Sequence, residues 1–393
     1  MLSQRVRTIE PSATLTVNAL RLKLAAEGKE IINFSVGEPD FSTPEFVTEA
    51  AIQALKDGWT RYTATPGVPA LREQIAETVG ASRGESIDPG EVVVTCGAKH
   101  ACANLFLSVV DPGDEVLCPA PYWVSYPEMI RLAEGIPVTV PMTRDGGYRV
   151  TPELLEPHVT PRTSGLILNS PSNPTGAVHS REEIDALVEF AEANDIWILS
   201  DEIYDRFVYE GEFASPYSGR GRERTYLIGG VSKTFAMTGW RVGWVIGDKS
   251  TIGALSRLQS HTTSNAAAVS QAAAIAALKG DDALFFDGMV TEFGRRRARA
   301  IELLSAIDGV SFHRPEGAFY IFLDLSEILE REGLESTTPL CEQWLESAGI
   351  ALVPGAAFGE PQGVRLSYAC SMEDLERGIA ALDRALAEGP RAS

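Results

Sequence analysis

The sequence predicts an α/β protein with a mainly parallel, seven-stranded sheet flanked by helices, together with a smaller α+β domain. The chain has 393 residues, which is too long for one small core and fits two domains or one large α/β domain with an appendage. From Glu91 onward, short runs rich in Val and Ile alternate with helical patterns. Alternation of this kind favours a parallel sheet that is covered by helices on both faces.

Seven apolar runs account for the strands of the predicted sheet. They are Glu91–Thr95, Glu115–Cys118, Ile136–Val140, Gly165–Asn169, Ile196–Ser200, Thr225–Ile228 and Val242–Ile246. Helical patterns lie between several of them, at Lys99–Val110, Tyr122–Ala133 and Arg181–Ala193. Because ligands of such sheets bind at the carboxyl ends of the strands, the residues that follow each strand are the candidates for a functional site.

The pattern changes after an arginine-rich helix at about Thr291–Ile307. Two further strands are predicted near Phe319–Leu323 and Val364–Ser367, and two further helices at Pro339–Ala348 and Met372–Ala387. We interpret residues 301–393 as a small α+β domain that is joined by the N-terminal segment, residues 1–34. Residues 35–300 then form the large domain.

Composition excludes several classes of function. A formal net charge of −20 disfavours nucleic acid as a partner, because a phosphate backbone would be repelled. The five cysteines are widely spaced and odd in number, which favours a reduced, cytosolic protein without a disulfide framework. The five histidines have no metal-ligand spacing, so no metal is expected. The first residues lack the apolar run of a signal peptide, and no segment has the length of a membrane span.

The stretch GGVSKTFAMTGWRVG, from Gly229 to Gly243, contains the residues of most chemical interest. A packed amine such as that of Lys233 loses solvation when it is charged, so its pKa falls and the neutral nucleophile can form a Schiff base with an aldehyde. Arg241 lies eight positions later, and its planar guanidinium is suited to phosphate oxygens. An aldehyde and a phosphate together indicate pyridoxal 5′-phosphate. Taken alone, the stretch also fits a surface lysine and arginine beside a turn.

Two residues near strand ends add to this reading. Gly97 lies where a strand turns into a helix, and the free N–H groups of a helix start favour a phosphate. Trp123 lies at a predicted helix start, where its indole could stack on an aromatic cofactor. An ordinary turn and a core tryptophan explain these residues equally well when each is taken alone.

Two other strand ends carry polar side chains. Asn173 lies in a proline-rich turn, Asn169–Gly176, and its amide can donate to a phenolic oxygen. Asp201 ends an apolar strand, where a carboxylate needs a cationic partner, and a protonated pyridine nitrogen would be one. Tyr204, three positions later, can hydrogen-bond the phenolic oxygen of the same ring.

These residues and their order resemble the class I pyridoxal-phosphate aminotransferases of fold type I over nearly the whole chain. The bacterial and archaeal aspartate aminotransferases are the most similar subgroup, on stretches such as Gly37–Phe41, Tyr122–Pro127 and Ala236–Arg241. The resemblance implies pyridoxal 5′-phosphate as cofactor and Lys233, Asp201 and Tyr204 as catalytic residues. The cofactor-binding residues that it implies are Gly97, Ala98, Lys99, Trp123, Asn173, Asp201, Tyr204, Lys233, Arg241 and Tyr62.

The resemblance also implies a substrate site and a partner. Its residues are Gly37, Trp123, Asn173, Arg365, Lys99 and Thr14. In this assignment Arg365 pairs with the α-carboxylate and Lys99 with a distal carboxylate. Tyr62 matches a tyrosine that reaches the phosphate of the neighbouring subunit, which implies a homodimer. One departure is visible, because Gly230 stands where many relatives have a serine, and the role of the nearby Ser232 is open.

The expected activity is transfer of the amino group of L-aspartate to 2-oxoglutarate. Aspartate/prephenate and aromatic or alanine aminotransferases are the alternatives of the same class. A pyridoxal-phosphate lyase or synthase of the same fold, and a regulator without catalytic activity, are the alternatives of other classes. A nicotinamide-dependent enzyme is not expected, because the sequence has no GxGxxG turn.

Overall fold

The structure is a computed structural model that describes residues 2–280 and 283–389. Its helices in this part of the chain are α1 (Gln4–Arg7), α2 (Ala13–Ala26), α3 (Glu45–Lys56), α4 (Pro69–Arg83), α5 (Ala98–Val109), α6 (Tyr126–Leu132), α7 (Pro152–Leu155), α8 (Arg181–Ala193), α9 (Lys249–Ser260), α10 (Ala268–Lys279), α11 (Ala283–Leu304), α12 (Ser326–Glu332), α13 (Thr338–Gln343) and α14 (Met372–Glu388). Its strands are β1 (Ile32–Asn33), β2 (Val92–Thr95), β3 (Glu115–Ala120), β4 (Ile136–Pro141), β5 (Thr163–Asn169), β6 (Trp197–Asp201), β7 (Thr225–Gly230), β8 (Gly243–Ile246), β9 (Ser311–Phe312), β10 (Tyr320–Asp324), β11 (Ile350–Ala351), β12 (Val353–Pro354) and β13 (Gly363–Ser367).

A seven-stranded sheet with the order β2-β8-β7-β6-β5-β3-β4 forms the centre of the molecule. Strand β8 is antiparallel to both of its neighbours, and the other pairs are parallel. The predicted α/β class and the mainly parallel, seven-stranded sheet are therefore confirmed. All seven predicted runs form strands of this sheet, with ends that differ from the prediction by one or two residues.

Helices cover both faces of the sheet and bury most of its strands, whereas the edge strand β4 has a single buried residue. Strand β2 shows this arrangement, since Val93 packs in a cluster with Leu105 of α5, whereas Val92 and Val94 pack on the other side with Leu71 of α4. Every residue of β2 and β3 is buried, as expected for strands that lie between two helical layers. This burial explains why both strands read as continuous apolar runs.

The predicted helix at Tyr122–Ala133 begins four residues late in the structure, at Tyr126. The backbone N–H of Tyr122 donates to Phe358 O at 3.0 Å, so it bonds to a distant loop. The helix starts only where the N–H of Tyr126 donates to Trp123 O. Trp123 therefore lies in the turn that precedes α6.

A second sheet, with the order β12-β13-β10-β9, is antiparallel throughout. Strand β1 of the N-terminal segment pairs with β11. Phe34 follows β1 and packs against Gly378 of α14, since a Cβ added to Gly378 would lie 2.2 Å from the Phe34 ring. Helix α11 runs across the predicted domain boundary at residue 300. The boundaries of the two domains stay a prediction.

Within residues 2–280 and 283–389, no helix is both long enough and apolar enough to cross a membrane. In the same ranges, no group of three or more His, Cys, Asp or Glu side chains could hold a metal ion.

Candidate active site

A cavity of about 260 Å³ opens where β5, β6 and β7 end. Eleven of the predicted site residues line it: Thr14, Gly37, Ala98, Lys99, Trp123, Asn173, Asp201, Tyr204, Lys233, Arg241 and Arg365. These residues come from the N-terminal segment, from the loops of the central sheet and from β13. The structure thus brings together side chains from nearly the whole length of the chain.

Lys233 lies three residues after β7, in the wall of this cavity. Its ammonium donates to the backbone carbonyl of Gly37, which belongs to the N-terminal part of the chain. Burial lowers the pKa of Lys233 to about 8, and the charges of Arg365 and Arg241 act in the same direction. A much larger fraction of Lys233 than of an ordinary lysine is therefore neutral near physiological pH and able to act as a nucleophile or base.

Asp201 is the last residue of β6 and is buried. One carboxylate oxygen accepts from the hydroxyl of Tyr126 at 2.7 Å, and the other accepts from the backbone N–H of Ile203 at 3.3 Å. Burial raises the pKa of Asp201 to about 6, although both hydrogen bonds oppose the rise. Because both of these donors are neutral, the carboxylate can still accept a cationic ligand.

Two asparagines connect the end of β5 with Asp201. The side chain of Asn169 donates to the backbone carbonyl of Asp201 at 2.9 Å and accepts from the backbone N–H of Asn173 at 2.8 Å. The side-chain oxygen of Asn173 accepts from Arg365 at 3.1 Å. These bonds orient the Asn173 amide, whose nitrogen is then the group available to a ligand.

Arg365 lies in the middle of β13 and is buried. Besides Asn173, its guanidinium donates to Ser35 O at 2.6 Å and lies over the rings of Tyr320 and Phe358. Its Nε has no hydrogen-bond partner in the structure, and burial lowers the pKa of the guanidinium. A buried cation with an unpaired donor is a binding site for an anion.

Arg241 lies beside the start of α5. It has the positive φ of 56° and donates to Thr238 O at 2.8 Å and to Cys96 O at 3.3 Å. Gly97, with φ 89°, precedes α5 and does not line the cavity itself, but a Cβ there would lie 2.4 Å from an Arg241 nitrogen. Only glycine allows the guanidinium to lie this close to the first N–H groups of the helix.

Lys99 follows in the first turn of α5, and its amine lies 5.0 Å from the ring centroid of Trp123. Burial lowers the pKa of Lys99, and the charge of Arg241 adds to this effect. A cation in the first turn of a helix is unfavourable unless an anion compensates it.

The charges of the cavity leave room for anions. The four cations Lys99, Lys233, Arg241 and Arg365 make their hydrogen bonds and ring contacts to neutral groups. Asp201 is the acidic residue that lines the cavity with them. Glu38 offsets part of the charge of Lys233 and raises its pKa, but the cations still outnumber the carboxylates. This excess of positive charge indicates a ligand with several anionic groups.

Tyr62 lies outside this cavity, and its side chain is 91% exposed. Its predicted contact with the neighbouring subunit stays a prediction. At Gly230, where the sequence departs from the expected pattern, an added Cβ would lie 3.0 Å from the carbonyl oxygen of Val242. Ser232, by contrast, lines the cavity.

Sequence reasoning missed two tyrosines of the cavity. The hydroxyl of Tyr126 binds Asp201, and the hydroxyl of Tyr320 lies 2.7 Å from that of Tyr204. Tyr126 lies in the stretch Tyr122–Pro127 that carries the family resemblance, and Tyr320 lies in a predicted strand. Neither position indicates which residue the hydroxyl bonds, because the partners lie 75 and 116 residues away.

Comparisons with known proteins agree with this geometry. A model of the family "aminotransferase class I and II" matches residues 29–382. The chain is 43% identical to the probable aspartate/prephenate aminotransferase of Aquifex aeolicus, over 98% of this chain and 99% of that protein. It is 42% identical to the aspartate aminotransferase of Geobacillus stearothermophilus, over 98% of both chains. The solved structure of the Thermus thermophilus aspartate aminotransferase with maleate superposes with a TM-score of 0.94, at 42% identity, covering 98% of this chain and 99% of the other.

The fold and the comparisons together define an aminotransferase. This chain belongs to the class I and II aminotransferase family. The resemblance to the bacterial aspartate aminotransferases that the sequence motifs predicted is confirmed.

Proposed function

We propose that this aminotransferase moves the amino group of L-aspartate to 2-oxoglutarate with pyridoxal 5′-phosphate as cofactor, as a homodimer in the cytosol. The observation that carries the proposal is the charge of the cavity. Besides the nucleophile Lys233, three cations with neutral partners line it, namely Lys99, Arg241 and Arg365. Cofactor and substrate together supply three anionic groups: a phosphate, an α-carboxylate and a side-chain carboxylate.

The residues present fit the cofactor. Arg241 and the N–H groups at the start of α5 suit the phosphate, with Ser232 as a further donor. Asp201 has only neutral donors and suits a protonated ring nitrogen. When bound, pyridoxal phosphate supplies an aldehyde for the lysine and a ring that withdraws electrons from the substrate α-carbon.

The chain's own residues then perform distinct tasks. Lys233, with a pKa near 8, is basic enough to take a proton from the α-carbon and acidic enough to return it. Asp201 keeps the ring nitrogen protonated by its charge. Tyr204 would donate to the phenolic oxygen of the ring, and Asn173 would supply a second donor. Trp123 would stack on one face of the ring and exclude water from it.

Substrate binding needs a cation at each end of the amino acid. Arg365, a buried guanidinium that lines the cavity and bonds only to neutral acceptors, binds the α-carboxylate. Lys99 binds the side-chain carboxylate of aspartate or glutamate, with Thr14 of the N-terminal segment beside it. Gly37 lies where a side chain would collide, since a Cβ there would be 2.7 Å from the hydroxyl of Tyr320.

Prephenate is the second candidate substrate. Like aspartate it carries two carboxylates, but it adds a ring that needs apolar surface. Leu15 and Trp123 line the same cavity as Lys99 and offer such a surface. The aminotransferase of Aquifex aeolicus that resembles this chain is named for both substrates.

The proposed homodimer is supported by Tyr62, which is 91% exposed although it is a large aromatic residue. We propose that it reaches the phosphate site of the partner subunit. The sedimentation behaviour of the wild type and a Tyr62→Phe variant, together with their cofactor affinities, tests this assignment. A monomeric enzyme with full cofactor affinity would contradict it.

Absorption spectroscopy tests the proposed activity. Addition of L-aspartate to the cofactor-loaded protein should change the cofactor band, and 2-oxoglutarate should restore it. Borohydride reduction followed by peptide mass spectrometry should place the cofactor on Lys233, with Lys249 as the unmodified control. Titration with prephenate in place of 2-oxoglutarate tests the second candidate. A cofactor absorption band that does not change when aspartate is added would exclude aspartate as the substrate and leave the family assignment intact.

A further inference from the structure

Two buried tyrosines meet at the edge of the cavity. Tyr204 follows β6 of the central sheet, and Tyr320 begins β10 of the second sheet. Their hydroxyl oxygens lie 2.7 Å apart, and both side chains line the cavity. This hydrogen bond therefore joins the two sheets directly beside Asp201 and Arg365.

A bond between two hydroxyls has one donor and one acceptor. Burial raises the pKa of both phenols, so both are neutral at physiological pH and each carries one proton. If Tyr204 donates to Tyr320, its proton is used within the protein. If Tyr320 donates, the proton of Tyr204 remains free for a ligand in the cavity.

The surroundings favour Tyr320 as the donor. The guanidinium carbon of Arg365 lies 4.8 Å from the ring centroid of Tyr320, and a cation at this place makes the hydroxyl a stronger acid and a better donor. Arg365 also lowers the pKa of Tyr204, whereas Asp201 raises it, and Glu38 raises the pKa of Tyr320. Burial and these charges together raise the pKa of Tyr204 further than that of Tyr320, so Tyr320 is the stronger acid and the better donor of the pair.

Packing holds Tyr320 in this position. Its hydroxyl lies against the backbone of Gly37, because a Cβ added to Gly37 would lie 2.7 Å from the hydroxyl oxygen of Tyr320. Its ring meets the ring of Tyr204 edge to face, with centroids 5.7 Å apart at an interplanar angle of 87°. The hydroxyl of Tyr320 therefore has little freedom to turn away from Tyr204.

We propose that Tyr320 is a positioning residue that donates to the hydroxyl of Tyr204, so that the proton of Tyr204 points into the cavity toward the phenolic oxygen of the bound cofactor. This assignment rests on the proposed function. A hydroxyl that accepts one hydrogen bond is polarised and donates the next more strongly. Tyr320 thus acts on the cofactor through Tyr204, without touching it.

The pH at which the cofactor-loaded enzyme changes its absorption tests the assignment. A hydrogen bond donated to the phenolic oxygen stabilises the form of the cofactor that has lost its proton. It therefore lowers the pH at the midpoint of the absorption change. Tyr320→Phe should raise this midpoint by about half a pH unit, as expected for a weakened hydrogen bond. Tyr204→Phe should raise it further. In the Tyr204→Phe background, Tyr320→Phe should add nothing, because it acts through the missing hydroxyl.

Tyr368→Phe is the matched control. It also removes a buried hydroxyl from the same core, one that donates to Ala318 O at 3.1 Å and does not line the cavity. It should leave the midpoint unchanged, and thermal unfolding reports whether each variant is folded. An unchanged midpoint in Tyr320→Phe, or an equal shift in both backgrounds, overturns the assignment of Tyr320. A wild type that binds no pyridoxal phosphate overturns the proposed function, and this assignment with it.

Discussion

The hydroxyl of Tyr126 donates to the carboxylate of Asp201 at 2.7 Å, across 75 residues of sequence. The bond stabilises the charged form of a carboxylate whose burial raises its pKa to about 6. If the charge of Asp201 holds the cofactor ring, the affinity for the cofactor falls as the pH drops through the pKa of this group. Tyr126 therefore extends the pH range over which the site is competent.

Tyr126→Phe should move this loss of affinity to higher pH, because the pKa of Asp201 rises when the hydrogen bond is removed. The affinity of the apoenzyme for pyridoxal phosphate, measured by fluorescence between about pH 5 and 8, checks the shift. Tyr226→Phe is the control, since that hydroxyl lies 3.1 Å from Thr251, away from the cavity. Overlapping curves for Tyr126→Phe and wild type would mean that this bond does not set the charge of Asp201.

In the apoenzyme, Lys233 should react with an acetylating reagent faster than Lys249 does. Its pKa of about 8 leaves a large neutral fraction at pH 8, whereas hydrogen bonding to Asp88 raises the pKa of Lys249. A limiting amount of an acetylating reagent should modify Lys233 at least about 10-fold faster than Lys249. Peptide mass spectrometry measures both rates, and added pyridoxal phosphate should protect Lys233 alone. Equal rates for the two lysines would contradict the lowered pKa.

Lys99→Met should separate acidic from neutral substrates. Loss of a charge-assisted hydrogen bond to the distal carboxylate should lower kcat/KM for aspartate by about 30-fold to 100-fold. The value for alanine, which has no such carboxylate, should change little. Steady-state kinetics with both amino acids measures the difference, and Lys249→Met on the surface is the control. A decrease of the same size for both amino acids would exclude Lys99 as the distal-carboxylate site.

Arg83→Met should destabilise the fold by about 3 to 5 kcal/mol near neutral pH. Arg83 bonds Glu202 and Asp205, each at 2.7 Å, and its removal leaves Glu202 charged and buried without a cation. Urea unfolding measures the loss, which Glu202→Gln in the same chain should largely restore.

The destabilisation by Arg83→Met should depend on pH. Burial already raises the pKa of Glu202, and without Arg83 it rises further. The folded variant then takes up a proton more readily than the unfolded chain, so its stability relative to wild type improves as the pH is lowered. A difference in unfolding free energy that is the same at every pH would show that Glu202 does not titrate in this range.

The strands of the central sheet could be predicted because each is a local run of apolar residues between turn residues. The helix after β3 was predicted too early, since Tyr122 bonds to Phe358, more than two hundred residues away. The cofactor and substrate residues could be predicted from their types and order, because the motifs that carry them are short. The hydrogen bonds of Tyr126 and Tyr320 could not be predicted, because the residues that they bond lie 75 and 116 positions away in the chain.

The α/β class, the run of seven strands and the identity of the reactive side chains were readable from the amino-acid sequence, since periodicity and motif spacing are local properties. The pKa values of Lys233 and Asp201, the neutral partners of the four cations and the bond between Tyr204 and Tyr320 depended on tertiary structure. Burial and electrostatic interactions arise between residues that are far apart in the chain. Only the folded molecule brings those residues within a few ångströms of one another.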